Sequence, residues 1–269
     1  MDNRAIGIFD SGLGGLTCVK KVMEIMPNEN IIYFGDTGRV PYGTKSKETI
    51  IKYVRQNINF LETFDIKFII IACGTASSAA LPNIQDEIKT EVIGVLEPTC
   101  REAVAVTKNG KIGVIGTQGT VNSGKYLETI NRIKPDTEVY STACPMFVPL
   151  VENGYTEGEV ARIIVEEYLA PVKEKGVDTL IMGCTHYPLL RKEIQKFMGD
   201  DVRLIDSGAA AAVEAKMHLQ KSGSLCGLQN IGTAKYYVSD TVVGFEELGS
   251  AFLDKHIEGS VHKIDIEKY

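Results

Sequence analysis

The sequence predicts an α/β protein made of two similar parallel-sheet domains, related by a pseudo-twofold axis, with a site in the cleft between them. Three observations carry that expectation. Short apolar runs alternate with stretches of helical length along the whole chain, as they do where strands lie between helix layers. The best-defined runs are apolar on both faces, which is the mark of buried parallel strands. Three segment pairs also recur in the same order. IGIFDSG (6–12) resembles IGVIGTQG (112–119), the segment around Cys73 resembles that around Cys184, and VIGVLEP (92–98) stands to the first as VRLIDSG (202–208) does to the second, at offsets of 106, 111 and 110 residues. One such match is noise; three at nearly constant offset indicate two copies of one unit.

The first copy supplies strands AIGIF (5–9), IIYFG (31–35), FIIIA (68–72) and VIGVL (92–96). Helices are expected between them at 15–26 and 46–64, the second opened by Ser46 with Glu48 and Thr49. The second copy supplies KIGVIG (111–116), VYST (139–142), TLIMG (179–183) and VRLID (202–206), with helices over 123–133 and 157–176, the latter stopped by Gly176. A helix over 207–223, ending at Gly223, and a strand KYYVS (235–239) follow. The copies span 1–97 and 98–207, and 208–269 returns to pack on the first. One domain is then 1–97 plus 208–269, with Asp10 and Cys73; the other is 98–207, with Glu152, Cys184 and His186. The crossings fall at Glu97-Pro98 and Asp206-Ser207-Gly208.

Composition narrows the function. The 269 residues are 44% hydrophobic and 24% charged, with a net charge of −6. That balance argues against nucleic acid as a partner, which calls for a basic face. No window approaches the roughly 20 apolar residues of a membrane span, and the N-terminus has no apolar stretch of signal-peptide length, so a cytoplasmic protein is expected. Six cysteines stand at 18, 73, 100, 144, 184 and 226, with no C-x-x-C pair. Free thiols are expected rather than disulfides, and no metal site, because ligands paired at short spacing are missing.

Cys73 and Cys184 each end an apolar strand, at the sheet edge where open parallel sheets bind ligands. Small and hydroxyl residues follow each, so a helix N-terminus is expected to lower the pKa of both thiols. Taken alone, a free cysteine is more often an inert buried hydrophobe; the strand-end position and the repeat favour chemistry. Cys18, Cys100, Cys144 and Cys226 lack that context. His186, two residues past Cys184, is a candidate proton partner, or a capping or core histidine. Asp10 ends the first strand ahead of Ser-Gly-Leu-Gly-Gly. That loop is neither a Walker A nor a G-x-G-x-x-G, and Asp10 suits a general base, an ammonium-orienting group or a helix cap. The turn-rich loop 35–46 carries Tyr42 and suits anion binding, or is a surface turn. Glu152 is the weakest candidate and in isolation reads as a solvated carboxylate.

Hydrolysis by a nucleophilic cysteine needs one thiolate and a base, which leaves one of the two thiols without a role. Inversion of a stereocentre uses both: one group takes a proton from carbon and another delivers one to the opposite face. A thiol serves as acid or base after a modest pKa shift. The carbanion beside a carboxylate then needs fixed N–H donors in a dry pocket.

The residues just argued resemble those of the cofactor-independent aspartate/glutamate racemase family, and within it the glutamate racemases. The resemblance covers essentially the whole chain and rests on IGIFDSGLGGLTC (6–18), YFGDTGRVPYGTKS (33–46) and GCTHYP (183–188). It implies two α/β domains, no pyridoxal phosphate, metal or other cofactor, a homodimer, and interconversion of L- and D-glutamate for peptidoglycan synthesis. It further implies that Cys73 works on the D enantiomer with Asp10 assisting, and Cys184 on the L with His186 and Glu152 assisting. Substrate would be held by Asp10, Ser11, Tyr42, Gly43, Gly74, Thr75, Thr185 and His186. Alternatives are a racemase for aspartate or another amino acid, or an inactive relative with a binding or regulatory role. Only nine residues precede Asp10, so the N-terminal extension that some members use in regulation is not expected. One position departs from the family pattern Cys-Asn-Thr: here it is Cys73-Gly74-Thr75. Loss of the asparagine amide is expected to weaken binding roughly ten- to a hundredfold.

Overall fold

The computed structural model describes residues 1–227, 229, 231–257 and 259–269, with Val243 through its backbone. The chain opens with β1 (Ala5–Asp10), α1 (Leu16–Ile25), β2 (Ile31–Gly35), α2 (Lys47–Leu61) and β3 (Ile66–Ile71). Then come α3 (Gly74–Ala79), α4 (Leu81–Ile84), β4 (Val92–Gly94) and α5 (Leu96–Val106). The second unit continues with β5 (Lys111–Gly116), α6 (Gln118–Asn122), α7 (Lys125–Ile133), β6 (Glu138–Ala143) and α8 (Phe147–Glu152). It closes with α9 (Glu159–Glu174), β7 (Thr179–Met182), α10 (Arg191–Met198) and β8 (Arg203–Asp206). The C-terminal region adds α11 (Ser207–Lys221), β9 (Ala234–Val238), α12 (Val243–Leu253) and β10 (Val261–Lys263).

The strands form two wholly parallel sheets, in the orders β10-β9-β2-β1-β3-β4 and β6-β5-β7-β8. Without the two C-terminal strands, both sheets run second, first, third, fourth. The internal repeat is therefore a repeat of strand order. β1 and β3 are buried along their whole length, which explains their unbroken apolar runs. The C-terminal strands join the first sheet, β9 lying beside β2 with Ile31 opposite Ala234 and Gly35 opposite Val238. Tyr269 closes the return by packing edge-on against Phe60, ring centres 5.1 Å apart.

Local chemistry sets the boundaries. Ser46 caps α2 by accepting the Thr49 N–H at 3.3 Å, as the Ser-x-x-Thr spacing implies. The helices before Gly176 and Gly223 end at those residues, with φ of 67° and 69°, a conformation glycine adopts without strain. Two expected elements differ. The helix expected over 123–133 starts only at Lys125, after Gly124 at φ 65°, and the separate short helix α6 precedes it. The strand over 92–96 stops at Gly94, because Leu96 already opens α5; the Val95 N–H is shared between the Ile71 carbonyl of β3 and Ser77 Oγ, at 3.3 and 3.1 Å. Glu97 and Pro98 lie in the first turn of α5, where an acidic side chain and a missing N–H both fit. α5 packs on α7, β7 and β8, while α11 packs on both α1 and α5.

At the edge of the first sheet away from the cysteines, Lys67 is buried and Nζ lies 2.6 Å from Glu29 Oε2. Lys67 also donates to the Asp2 and Ser224 carbonyls at 2.6 and 2.8 Å. The same offset of 111 that relates the cysteines carries Lys67 onto Asp178. Asp178 accepts from Thr107 Oγ1 and the Lys108 and Asn109 N–H groups at 2.6, 2.7 and 2.7 Å. Each lobe thus has its central strands anchored at this edge by a polar residue in equivalent position, ionic in one lobe and neutral-partnered in the other.

Candidate active site

The carboxyl ends of four strands converge on one small cavity. Ser11 follows β1, Cys73 follows β3, Thr117 follows β5 and Cys184 follows β7. Gly43, Gly74, Thr75, Thr185, His186 and Tyr42 also line it. Both sulfurs therefore face a common space, although each cysteine is over nine-tenths buried. The cavity measures about 40 Å³. At roughly 10–15 Å³ per water it holds a few waters, too little space for an amino acid as it stands.

Cys73 caps α3, its Sγ 3.5 Å from the Ala76 N–H and 3.6 Å from Ser11 Oγ. The sequence led us to expect this helix N-terminus to lower the thiol pKa. The opposite holds. Burial first, and the nearby Asp10 carboxylate second, push it up to about 12, against the smaller pull of Ala76 and Ser11. A six-residue helix offers too few aligned peptides to reverse that desolvation.

At Cys184 the expected helix itself is missing. No α-helix opens there: Thr185 and His186 form a turn, a 3₁₀ turn spans Tyr187–Leu190, and α10 starts only at Arg191. The turn brings His186 Nδ1 to 3.9 Å from Cys184 Sγ. Nε2 lies 3.1 Å from Glu152 Oε1. Burial opposes the imidazolium, but the hydrogen bonds of Cys184 and Glu152, with the charges of Cys184 and Asp10, outweigh it and push the His186 pKa up to about 10. A positive charge thus stands beside Cys184, where a negative one stands beside Cys73. Tyr187 fixes this turn, its ring edge-on to Phe147 of α8 and its hydroxyl donating to the Cys144 carbonyl at 2.9 Å.

Asp10 and Glu152 stand one layer behind the cavity wall. Asp10 is fully buried, and Oδ2 accepts from the Gly12 and Gly15 N–H groups at 3.1 and 3.0 Å. It therefore holds the loop leading into α1 without capping that helix itself. Its Oδ1 lies 3.5 Å from Thr185 Oγ1. Burial raises its pKa; the charge of His186 and the loop N–H groups pull it back only in part. Glu152, at the end of α8, meets the site through His186 alone among the described contacts.

Tyr42 lies at the cavity, but its hydroxyl turns inward to Asp36 and to Asn57 Nδ2, the latter at 2.9 Å. Arg39 braces the same knot through Asp36 at 2.8 Å. The phenol thus holds the loop, and what Tyr42 and Gly43 offer the cavity is main chain. Sequence reasoning did not single out Thr117, Thr120, Val40, Pro41, Val148 or Gly183, which complete the lining. A signal for Thr117 existed: the offset of 106 carries Ser11 onto it. Thr75, Thr117 and Thr120 form a hydroxyl triangle across the lobes, with Oγ1 separations of 3.1, 3.3 and 3.0 Å. Cys18, Cys100 and Cys144 are buried away from the lining, and burial raises all three thiols.

A far larger hollow, about 680 Å³, lies elsewhere, between β4, α5 and α11. Much of its polar lining is already paired: Arg101 meets Glu97 and Glu214 at 3.3 and 2.8 Å, and His218 meets Glu91 at 2.6 Å. Size alone therefore misplaces the chemistry.

Residues 16–215 match the family described as Asp/Glu/Hydantoin racemase. The glutamate racemase of Geobacter metallireducens is 46% identical over 264 residues, covering 98% of this chain and 97% of that protein. That of Aquifex aeolicus is 46% identical over 256 residues, covering 95% and 96%. Among solved structures, glutamate racemase from Francisella tularensis in complex with D-glutamate superposes with a TM-score of 0.92, at 38% identity and full coverage of both chains. Isoform RacE1 from Bacillus anthracis superposes at 0.94, with 38% identity and 98% coverage of each. On its sequence, fold and extent of match, the chain belongs to the Asp/Glu/hydantoin racemase family.

Proposed function

We propose that the protein interconverts L- and D-glutamate by a two-thiol, cofactor-independent route, and that D-glutamate for peptidoglycan is its product in the cell. One observation carries the reading. Two cysteines from matched positions of two lobes face a single closed cavity, each with its own polar partner. The relatives named glutamate racemase supply the substrate.

In the L-to-D direction, Cys184 as thiolate removes the α-proton. The imidazolium of His186 supplies the positive charge a thiolate needs in a buried site. The C–H electron pair moves into the carboxylate, giving an enediolate. The Cys73 thiol, held protonated by burial and Asp10, delivers its proton to the opposite face. The D-to-L direction reverses each step. The N–H groups of Gly74 and Thr75 open α3 and are not consumed within it; with Ser11 and Thr185 they receive the reacting carboxylate. Asp10 orients the ammonium through the loop it holds. The hydroxyls of Thr75, Thr117 and Thr120 and the Tyr42–Gly43 main chain receive the side-chain carboxylate.

The test is incubation with L-glutamate in deuterated water without added cofactor, following the α-proton signal and optical rotation together. Loss of both is expected. Rotation lost with aspartate and kept with glutamate moves the substrate to aspartate. Rotation retained with both overturns the racemase reading.

A further inference from the structure

The loop after β2 has little main-chain support of its own. Its hydrogen bonds run from the Arg39 N–H to the Asp36 carbonyl at 3.1 Å and from the Lys45 N–H to the Tyr42 carbonyl at 3.0 Å, which shape turns without tying them to the lobe. Yet Tyr42 and Gly43 line the cavity, and their N–H groups open a 3₁₀ turn (Tyr42–Thr44) that does not consume them. Side chains must fix where that main chain stands, and they meet at Arg39. Its side chain is nine-tenths buried, and all three of its nitrogens are engaged. Nε donates to Asp36 Oδ1 and Oδ2 at 3.0 and 2.8 Å. Nη1 donates to Gln56 Oε1 and Glu267 Oε1 at 2.5 and 3.1 Å, and Nη2 to Asn57 Oδ1 at 3.1 Å. The guanidinium also lies over the Tyr53 ring, 4.1 Å from its centre. Asp36, fully buried, accepts in turn from the Tyr42 hydroxyl and, at 2.8 Å, from Ser239 Oγ. Ser239 Oγ accepts the Gly38 N–H at 2.9 Å. Ser239 and Glu267 belong to the C-terminal segment, whose two strands have no counterpart in the second sheet.

We propose that Arg39 is a positioning residue for the substrate's side-chain carboxylate: its grip on Asp36, Asn57 and the C-terminal Glu267 fixes, through the Tyr42 hydroxyl, where the Tyr42–Gly43 main chain stands over the cavity. The planar fork matters here. A guanidinium reaches several partners in fixed directions, whereas an ammonium of the same charge is a compact point donor. Arg39 itself is not part of the cavity lining, and the contact it governs is the same before and during proton transfer. Weakening that contact therefore raises KM and leaves kcat. This kinetic consequence rests on the racemase reading above; the fixing of the loop does not.

Two variants test the chain of contacts. Arg39→Lys keeps the cation that the buried Asp36 requires and removes the fork. Tyr42→Phe keeps the ring and removes only the link to Asp36, which retains Arg39 and Ser239. Amide hydrogen exchange across residues 40–45 should quicken about tenfold in each variant, with β1 and β3 unchanged. KM for L-glutamate should rise about tenfold in each, with kcat within about twofold of the parent. Because the two residues act in series, the double variant should raise KM little beyond either single one. A purely structural role for Arg39 predicts instead that Arg39→Lys behaves as the parent, or that kcat and KM suffer together. Unchanged loop exchange in Arg39→Lys overturns the proposal, as do KM effects that multiply in the double variant and a fall in kcat with KM unchanged. If Arg39→Lys does not fold, Tyr42→Phe decides alone: parental exchange and parental KM overturn the proposal. A parent protein inert toward glutamate defeats the racemase reading alone, since the exchange comparison needs no substrate.

Discussion

The two lobes share a strand order and place a cysteine after the third strand of each, yet they surround those sulfurs with opposite charge. In the first lobe the strand-end residue before the loop is Asp10, buried and near Cys73. The offset of 106 carries it onto Gly116 in the second lobe, which has no side chain to bring. After the cysteines the exchange runs the other way. Thr75 corresponds to His186, and only the second lobe adds a carboxylate, Glu152, 3.1 Å behind the ring. A duplicated backbone delivers two sulfurs to one cavity; the residues that diverged between copies hold Cys73 as a thiol and set a cationic imidazole beside Cys184. A two-base inversion requires that asymmetry, since two thiols or two thiolates would each leave one step without its partner.

The largest effects should come from removing either member of the pair. Cys73→Ala and Cys184→Ala should each lower racemisation by about 10⁴-fold, the upper range for a positioned acid or base, read as loss of optical rotation over time. A single variant that racemises at the parent rate breaks the comparison, because the lobes would then not divide the work.

Next come the anchors at the far edge of the sheets. Lys67→Met leaves the Glu29 carboxylate buried without its cation and should cost about 3–5 kcal/mol of unfolding free energy. Asp178→Asn, whose partners are neutral donors on a half-buried group, should cost about 1 kcal/mol. Denaturant titration measures both, and equal losses would show that the ionic anchor carries no special weight.

The charge beside Cys184 is probed by His186→Asn, expected to lower kcat about 10²- to 10³-fold. Glu152→Gln, acting only through the ring, should lower it about tenfold. Stability carries a second signature. The folded His186 pKa, about 10, lies above the ordinary 6.5. Its proton therefore favours the folded state fully below about 6.5, and that contribution is lost as pH rises through 10. The melting temperature of the parent should fall across that window, and the fall should be smaller in His186→Asn. Parallel curves would mean that the ring is not held charged.

Much of this arrangement was legible in the residues. Buried parallel strands need apolar runs on both faces, so β1, β3, β5 and β7 stood out, and the repeat placed Cys73 and Cys184 at equivalent ends. Ser46, Gly176 and Gly223 marked boundaries through hydrogen-bond and φ requirements that act locally. What was not legible depends on distant partners. The direction of the Cys73 shift follows from burial and Asp10 across a loop. The inward turn of the Tyr42 hydroxyl follows from Asp36 and Asn57. The late start of α7 after Gly124 is decided by a single φ, which an apolar pattern does not register.

The central claim is that protons leave and arrive on different sulfurs, and the position of deuterium early in the reaction tests it most directly. Protein in deuterated water is given L-glutamate, the reaction is stopped at low conversion, and the enantiomers are separated for mass spectrometry. The account predicts D-glutamate carrying deuterium at the α-carbon beside recovered L-glutamate that is still largely protiated. Comparable deuterium in both enantiomers at that stage would mean that one group serves both faces, and would contradict it.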